Sequence, residues 1–587
     1  MSTNASSHNH HYNYVAVPSY MPSTTTPNSP FHEHRSSPIS TTTPNTTTST
    51  ESIEEILRDS RPSLNTAENQ NQEQYEDANT ILGNNARYSS LVHVTGDMYR
   101  KRSHSNAHHN SPYPWTSFEN LLTKNDKNKD YQKGRVALFR KLLIGYPETR
   151  FEIVREARAD IPGVLRGEIW AAILGVEQDL EAKKLYDLLL NKMNNTARRN
   201  GRWMSAECEA SDRQIAVDVP RCHQYNKLLA SKTGHAKLTR VLRAWVVDHD
   251  TSVVDRVRSN SNPHAPPEEE LLDDAVIKKE KGPLVYWQGL DSLTAPFVVL
   301  NFHFEARAFC CIRALVDKFV KGFFAKDNSH AMEERLATFQ KLLIYHDPEL
   351  GLHLRNIGFS AELYAIPWFL TLFAHVLPIE KIFKLWDALL LSSSSHHLPM
   401  FLAIGMMKQL RGNLLKSDFN TAMTLFQNMQ GIDIRRAIND ADGLVDKTPK
   451  SMLVCSRTMS IQSYSDKLCP RLGAKEFDQV VSKVAMIIDV RKYSDYESHH
   501  YAMAHHVSSF LDDPRLYTDD VKSQQAIEES IVTAVKCKQG LPIVLIGRDD
   551  CRESCKQLER MEKVLVLEQV PYVCVVDGGM EAIRRTM

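Results

Sequence analysis

From about residue 135 to 427 the apolar residues recur every three to four positions, and strict alternation is almost absent. That period belongs to amphipathic helices whose apolar stripes must be buried against one another. It predicts helices over 135–143, from Arg166 onward, over 181–193 and over 238–247. A denser series follows Gln288, over 309–324, 332–345, 368–377, 381–391, 400–410 and 419–427. Gly and Pro are sparse inside these runs, as helix interiors require. An all-α domain is expected over 130–445. After a polar stretch at 446–470, read as a linker, the pattern changes. Residues 484–491, 541–547 and 572–579 are continuous apolar runs, and 551–567 is an amphipathic helix between the last two. Unbroken apolar strands alternating with helices predict a parallel sheet covered on both faces, hence a small α/β domain over 471–587. Residues 1–112 have no apolar period and are rich in Ser, Thr, Pro and His, which predicts a disordered tail.

At 587 residues the chain has room for two or three such domains. The 71 basic and 71 acidic side chains cancel, so nothing directs it to nucleic acid. Ten cysteines are scattered without a CxxC pair, which suits a reducing compartment. The first thirty residues lack an apolar signal core, and no uncharged apolar run is long enough to span a bilayer. A cytoplasmic location is expected, with any membrane contact indirect. His8, His10 and His11 lie in the polar tail and read as solvent-exposed residues, so no metal site is expected. A polar segment at about 251–282 reads as a solvent loop inserted into the helical domain.

Two short stretches concentrate the chemistry. In Ile215-Ala216-Val217-Asp218-Val219-Pro220-Arg221 an Ile, an Asp and an Arg are spaced by three, which predicts one shared face at a turn or helix start. Pro220 stiffens the bend, and Asp218 can orient the guanidinium while leaving it free to reach a partner's phosphates. The plain alternative is an ordinary surface ion pair. The second stretch is Tyr286-Trp287-Gln288-Gly289-Leu290-Asp291.

With Ile161-Pro162, Arg166-Gly167, Trp170, Trp368-Phe369-Leu370 and Phe383-Lys384-Leu385-Trp386-Asp387, these stretches resemble the ordered motifs of the TBC family, IxxDxxR and YxQG among them. The resemblance implies an activator of GTP hydrolysis by Rab-type small GTPases, working in vesicle or endosomal trafficking. It implies that Arg221 is an Arg finger supplied in trans, supported by Asp218 and Ile215. Gln288 would replace the GTPase's own water-orienting Gln, with Tyr286 and Gly289 shaping its loop. Arg166, Gly167, Trp170, Trp368, Trp386 and Asp387 are read as fold residues. GTP and Mg would be held by the Rab, so no cofactor or metal of its own is expected, and GxxxxGK[ST] is absent. Gly-rich phosphate loop, HRD and DFG are absent too, so the kinase-like domain that similar family members place first is not read here. Four positions depart from the family pattern: Cys222 for Thr, Leu290 and Asp291 for Met and Asn, and Lys384 for Arg. Asp291 is expected to bring negative charge near the phosphates and weaken catalysis. The alternative reading is a non-catalytic Rab-binding scaffold subunit of an endosomal complex.

In the C-terminal domain, Asp489-Val490-Arg491 with Asp577-Gly578-Gly579 resembles a rhodanese-like domain. An active rhodanese needs a thiolate at the start of the loop after its central strand. Here that position is Gly547, and Cys551 comes four residues later behind Asp549 and Asp550. Acidic neighbours raise a thiol's pKa, so the site is read as degenerate and the domain as a docking module for further subunits.

Overall fold

The computed structural model describes residues 128–176, 179–200, 206–249, 284–325, 327–392, 396–427, 429–456, 459–511, 521–538, 540–548 and 552–587. The expected disordered tail at 1–112, the inserted loop at 251–282 and Cys551 lie outside them.

The helical domain contains α1 (Lys129–Ile144), α2 (Arg150–Ala157), α3 (Arg166–Leu174), α4 (Asp179–Asn200), α5 (Ala206–Asp218) and α6 (Lys232–Asp248). It continues with α7 (Leu290–Leu300), α8 (Glu305–Leu315), α9 (Ser329–His346), α10 (Pro348–Asn356), α11 (Glu362–Leu370), α12 (Ile379–Leu391), α13 (Leu398–Leu414), α14 (Phe419–Gln427) and α15 (Ile434–Asp446). Their apolar stripes meet in one core in which Trp170, Trp245, Trp368 and Trp386 are fully buried. Trp170, Phe297 and Trp386 pack with ring centroids 5.5–5.8 Å apart. Beside them Asp387 accepts the Trp170 indole N–H at 2.7 Å and a forked bond from Arg166 at 3.1–3.2 Å. This one carboxylate joins α3 to α12. Gly167 permits the close approach of α3 to α7, because a Cβ there would lie 2.7 Å from Asn301 Oδ1 and 2.9 Å from the Leu300 carbonyl.

Two predicted helices are broken. The run at 309–324 forms α8, then a π turn at Val316–Val320 and a 3-10 turn at Lys321–Phe324. Directly after the 3-10 turn, Ala325 pairs with Leu284 in an antiparallel bridge. The run at 368–377 leaves the helix after Leu370. The Thr371 hydroxyl donates to the Pro367 carbonyl at 2.6 Å, and Leu372 and Phe373 take positive φ. That fold-back presents the Leu372 carbonyl to the Trp386 indole N–H at 2.9 Å. Helical period alone could not show it, since Leu372, Phe373 and Leu377 are all buried.

The segment at 446–470, expected as a linker, is folded. It carries a short turn at Lys450–Leu453 and α16 (Ile461–Asp466), with Met452 and Tyr464 fully buried. The α/β domain follows with β1 (Arg471–Leu472), α17 (Ala474–Gln479), β2 (Met486–Asp489), α18 (Tyr493–Ser498), β3 (Ala504–His506), α19 (Val521–Cys537), β4 (Ile543–Ile546), α20 (Arg552–Leu567), β5 (Val573–Val576) and α21 (Gly579–Thr586). All neighbouring strands pair in parallel, in the order β1-β5-β4-β2-β3. Side chains alternate between the two faces. Ile488, Leu545 and Val575 enter one apolar layer, and Ile487, Val544 and Cys574 enter the other. Being buried on both faces is what made these strands read as unbroken apolar runs.

The end of α9 reaches both layers of the sheet. Ile344 belongs to one and Tyr345 to the other, and the Tyr345 carbonyl accepts the Tyr572 N–H at 2.7 Å. Lys341, on the same helix, is 2% exposed, with its ammonium 4.3 Å from the Tyr464 ring centroid.

Candidate functional site

Ile215 and Asp218 face inward from α5, at 1% and 4% exposure. The helix then tightens into a 3-10 turn at Val219–Arg221, with Pro220 near its start where a missing N–H costs nothing. After the turn Cys222 is extended, at φ −70° and ψ 113°. Arg221, at the last position of the turn, is exposed. The expected shared face therefore holds for Ile215 and Asp218 and not for Arg221. The next residues are stapled down: the Tyr225 hydroxyl lies 2.7 Å from His223 Nδ1 and accepts the Ile379 N–H at 3.0 Å.

The second stretch is held by its backbone. Leu284 bridges Ala325, the Val285 N–H donates to the Phe324 carbonyl at 2.8 Å, and the Trp287 indole donates to the Ala325 carbonyl at 3.0 Å. Gly289 begins α7 with φ +105°, a conformation that disfavours any side chain, and a Cβ there would sit 2.9 Å from Thr371 Cγ2. This sharp entry leaves Gln288 exposed immediately before the helix.

The two stretches meet at a buried hydrogen bond. The Tyr286 hydroxyl donates to Asp218 Oδ2 at 2.9 Å, and Gln214 Nε2 donates to Asp218 Oδ1 at 2.9 Å. Asp218 therefore does not clasp Arg221 as the sequence suggested. Its oxygens are taken by Tyr286 and Gln214, and it ties the Arg-bearing turn to the Gln-bearing loop. Burial, and next the charge of Asp291, push the Asp218 carboxyl above its usual range. Burial followed by those two carboxylates pushes the Tyr286 phenol far up, so it stays protonated and donates.

Asp291 also departs from expectation. It is 6% exposed and faces inward, toward the Gly289 N–H and Ser292 rather than outward beside Gln288. Its Oδ1 accepts the Gly289 N–H at 3.1 Å, and the Ser292 hydroxyl lies 3.4 Å from Oδ2. The cue was its place in the first turn of a helix opened by Gly, where carboxylates favour the free N–H groups. Sequence reasoning also missed the bond from Tyr286 to Asp218, which joins residues 68 apart.

In the α/β domain Gly547 follows β4 directly, packed so that a Cβ would meet Leu558 at 2.7 Å. Arg548 donates to Asp495 at 3.5 Å. Among the described residues no group of His, Cys, Asp and Glu is arranged to hold a metal, and no helix is long and apolar enough to cross a membrane.

The family model of the Rab-GTPase-TBC domain matches residues 164–253 and 276–415, and that of the rhodanese-like domain matches 473–586. The chain is 33% identical over 534 residues to the TBC domain-containing protein kinase-like protein of Gallus gallus, covering 82% of this chain and 53% of that protein. It is 34% identical over 514 residues to the protein of the same name from Mus musculus, covering 78% and 51%. The chain thus spans about half the length of the curated relatives it matches. Among solved structures, the YPT/Rab-GAP domain of Gyp1p aligns over 54% of this chain and 98% of that one, at 15% identity and a TM-score of 0.42.

Proposed function

We infer that this chain, which carries a Rab-GTPase-TBC domain followed by a rhodanese-like domain, stimulates GTP hydrolysis by a Rab-type small GTPase through Arg221 and Gln288. The observation that carries the reading is the Asp218–Tyr286 hydrogen bond, which ties together two segments that each end in an exposed polar side chain. In phosphoryl transfer, charge accumulates on the γ-phosphoryl and bridging oxygens, and an attacking water must be held in line. A guanidinium offers a planar fork of donors to that charge. A carboxamide offers a donor and an acceptor to the water at once. GTP and Mg stay with the Rab, and the action belongs to vesicle or endosomal membranes reached through that partner.

The test is single-turnover GTP hydrolysis across a Rab panel with the full chain. Arg221→Ala and Gln288→Ala are each expected to lower the stimulated rate by about tenfold or more, and Arg221→Lys to give no rescue. Unchanged rates in both Ala variants would sink the two-finger reading. Rab binding without stimulation by the unaltered chain would establish a recognition scaffold instead.

The rhodanese-like domain carries no sulfur-transfer activity in this reading. Gly547 occupies the position after the central strand, and Arg548 is drawn to Asp495. Thiosulfate-to-cyanide transfer by the full chain is expected at background. Turnover that disappears in Cys551→Ser would overturn this.

A further inference from the structure

Asp291 is a buried carboxylate with no Lys or Arg ion pair among the described residues, and the sequence pattern of the family puts an uncharged Asn there. Burying a charge without a counter-ion is costly unless hydrogen bonds and dipoles replace water. Here the replacements are specific. Oδ1 accepts the Gly289 N–H at 3.1 Å, which belongs to the peptide plane joining Gln288 to Gly289. Oδ2 has the Ser292 hydroxyl at 3.4 Å, and that hydroxyl lies 3.2 Å from His375 Nδ1. The amino end of α7 adds favourable partial charge.

Resting on the two-finger reading, the geometry points to Asp291 as a positioning residue. It fixes the peptide that carries Gln288, through the bond from the Gly289 N–H. Asp291 touches no reacting atom. Its effect is on where Gln288 stands, and displacement of a positioned group by about 1 Å costs up to about a hundredfold in rate. A helix cap with only a structural role would change stability and leave the rate at saturating activator untouched.

Two variants separate these cases. Asp291→Asn keeps an oxygen for the Gly289 N–H, and Asp291→Ala removes it. At saturating full chain, Asp291→Ala is expected to lower the single-turnover rate by about tenfold or more, with the half-saturating concentration changed by less than about twofold. Asp291→Asn is expected to retain at least about a third of the rate. In parallel, hydrogen exchange of the segment around 285–290 is measured in the Rab-free chain. Exchange should speed up by about tenfold in Asp291→Ala and by less than about threefold in Asp291→Asn. An unchanged rate or unchanged exchange in Asp291→Ala overturns the proposal, and so does an Asn variant as impaired as the Ala variant. If the unaltered chain stimulates no Rab, the functional reading fails while the exchange arm still decides whether Asp291 holds the Gln288 peptide. If Asp291→Ala does not fold, Asp291→Leu, which keeps the side-chain volume and carries no acceptor for the Gly289 N–H, takes its place in both arms with the same expected outcomes. An unchanged rate or unchanged exchange in that variant overturns the proposal.

Discussion

Tyr286→Phe removes one oxygen from the middle of the site and little else. The ring keeps its place at 9% exposure, and the backbone bonds that hold the loop to residues 324–325 do not involve the hydroxyl. What is lost is the 2.9 Å bond to Asp218, leaving that buried carboxylate with Gln214 as its remaining side-chain donor. A hydrogen bond to a charged group contributes about 1.5–3 kcal/mol. For a domain of this size the melting temperature should fall by roughly 2–5 °C. The larger consequence is mechanical. Arg221 lies three residues beyond Asp218 and Gln288 two beyond Tyr286, so the missing bond loosens the link between the two residues proposed as fingers. We expect the single-turnover rate at saturating full chain to fall by about tenfold, with Rab affinity nearly unchanged, because the bond is buried and touches no partner. Asp218→Asn keeps an acceptor for Tyr286, so it should be milder than Tyr286→Phe. The double variant should show a coupling of about 0.5–3 kcal/mol in stability. A Tyr286→Phe chain that melts and stimulates like the unaltered one would refute the claim that this bond aligns the fingers.

Two further outcomes follow from buried charges. Asp387→Ala strands the Arg166 guanidinium and the Trp170 N–H; with both charged side chains 17% exposed, a loss of about 2–4 kcal/mol is expected in thermal or denaturant melts, and Arg166→Met with Asp387→Leu should recover most of it. Burial, and next the charge of Arg471, lower the Lys341 ammonium to about 8, so the unfolded chain holds this proton more tightly than the folded one between pH 8 and its ordinary value of 10.5. Stability should therefore rise with pH across that window by about 3 kcal/mol relative to Lys341→Met, and melts that run parallel for the two proteins would contradict it.

The helical and α/β halves were legible because each buries its elements in a way that leaves a period. The strands could be read from unbroken apolar runs, since Ile487 and Ile488 are buried on opposite faces of the sheet. β1 and β3, at two and three residues, were too short to leave a signal. The two stretches that carry Arg221 and Gln288 were legible as motifs, but the bond between them was not. Asp218 sits three residues from Arg221, and sequence proximity suggested a local pair. Its partner is Tyr286, brought in only by tertiary folding. Asp291 shows the same limit: its charge was visible and its direction was not, because direction was set by Gly289 at φ +105° and the inward first turn of α7.

The stretch at 446–470 was misread for a different reason. Its residues are polar enough to suggest a linker, yet Met452 and Tyr464 are buried and Lys341 lies over the Tyr464 ring. A linker between independent domains leaves few contacts across it. Here one helix end supplies Ile344 to one layer of the sheet and Tyr345 to the other, and a main-chain bond joins Tyr345 to Tyr572. Cutting the chain near 445 would expose those side chains and leave the Lys341 ammonium without its aromatic partner. It would also remove Cys469, which belongs to the same layer as Ile344. Activity lost in such a fragment would report the loss of this shared core as readily as the loss of a docking surface. The α9 helix thus makes the rhodanese-like domain part of the folded platform on which Arg221 and Gln288 are carried, whether or not a further partner binds it.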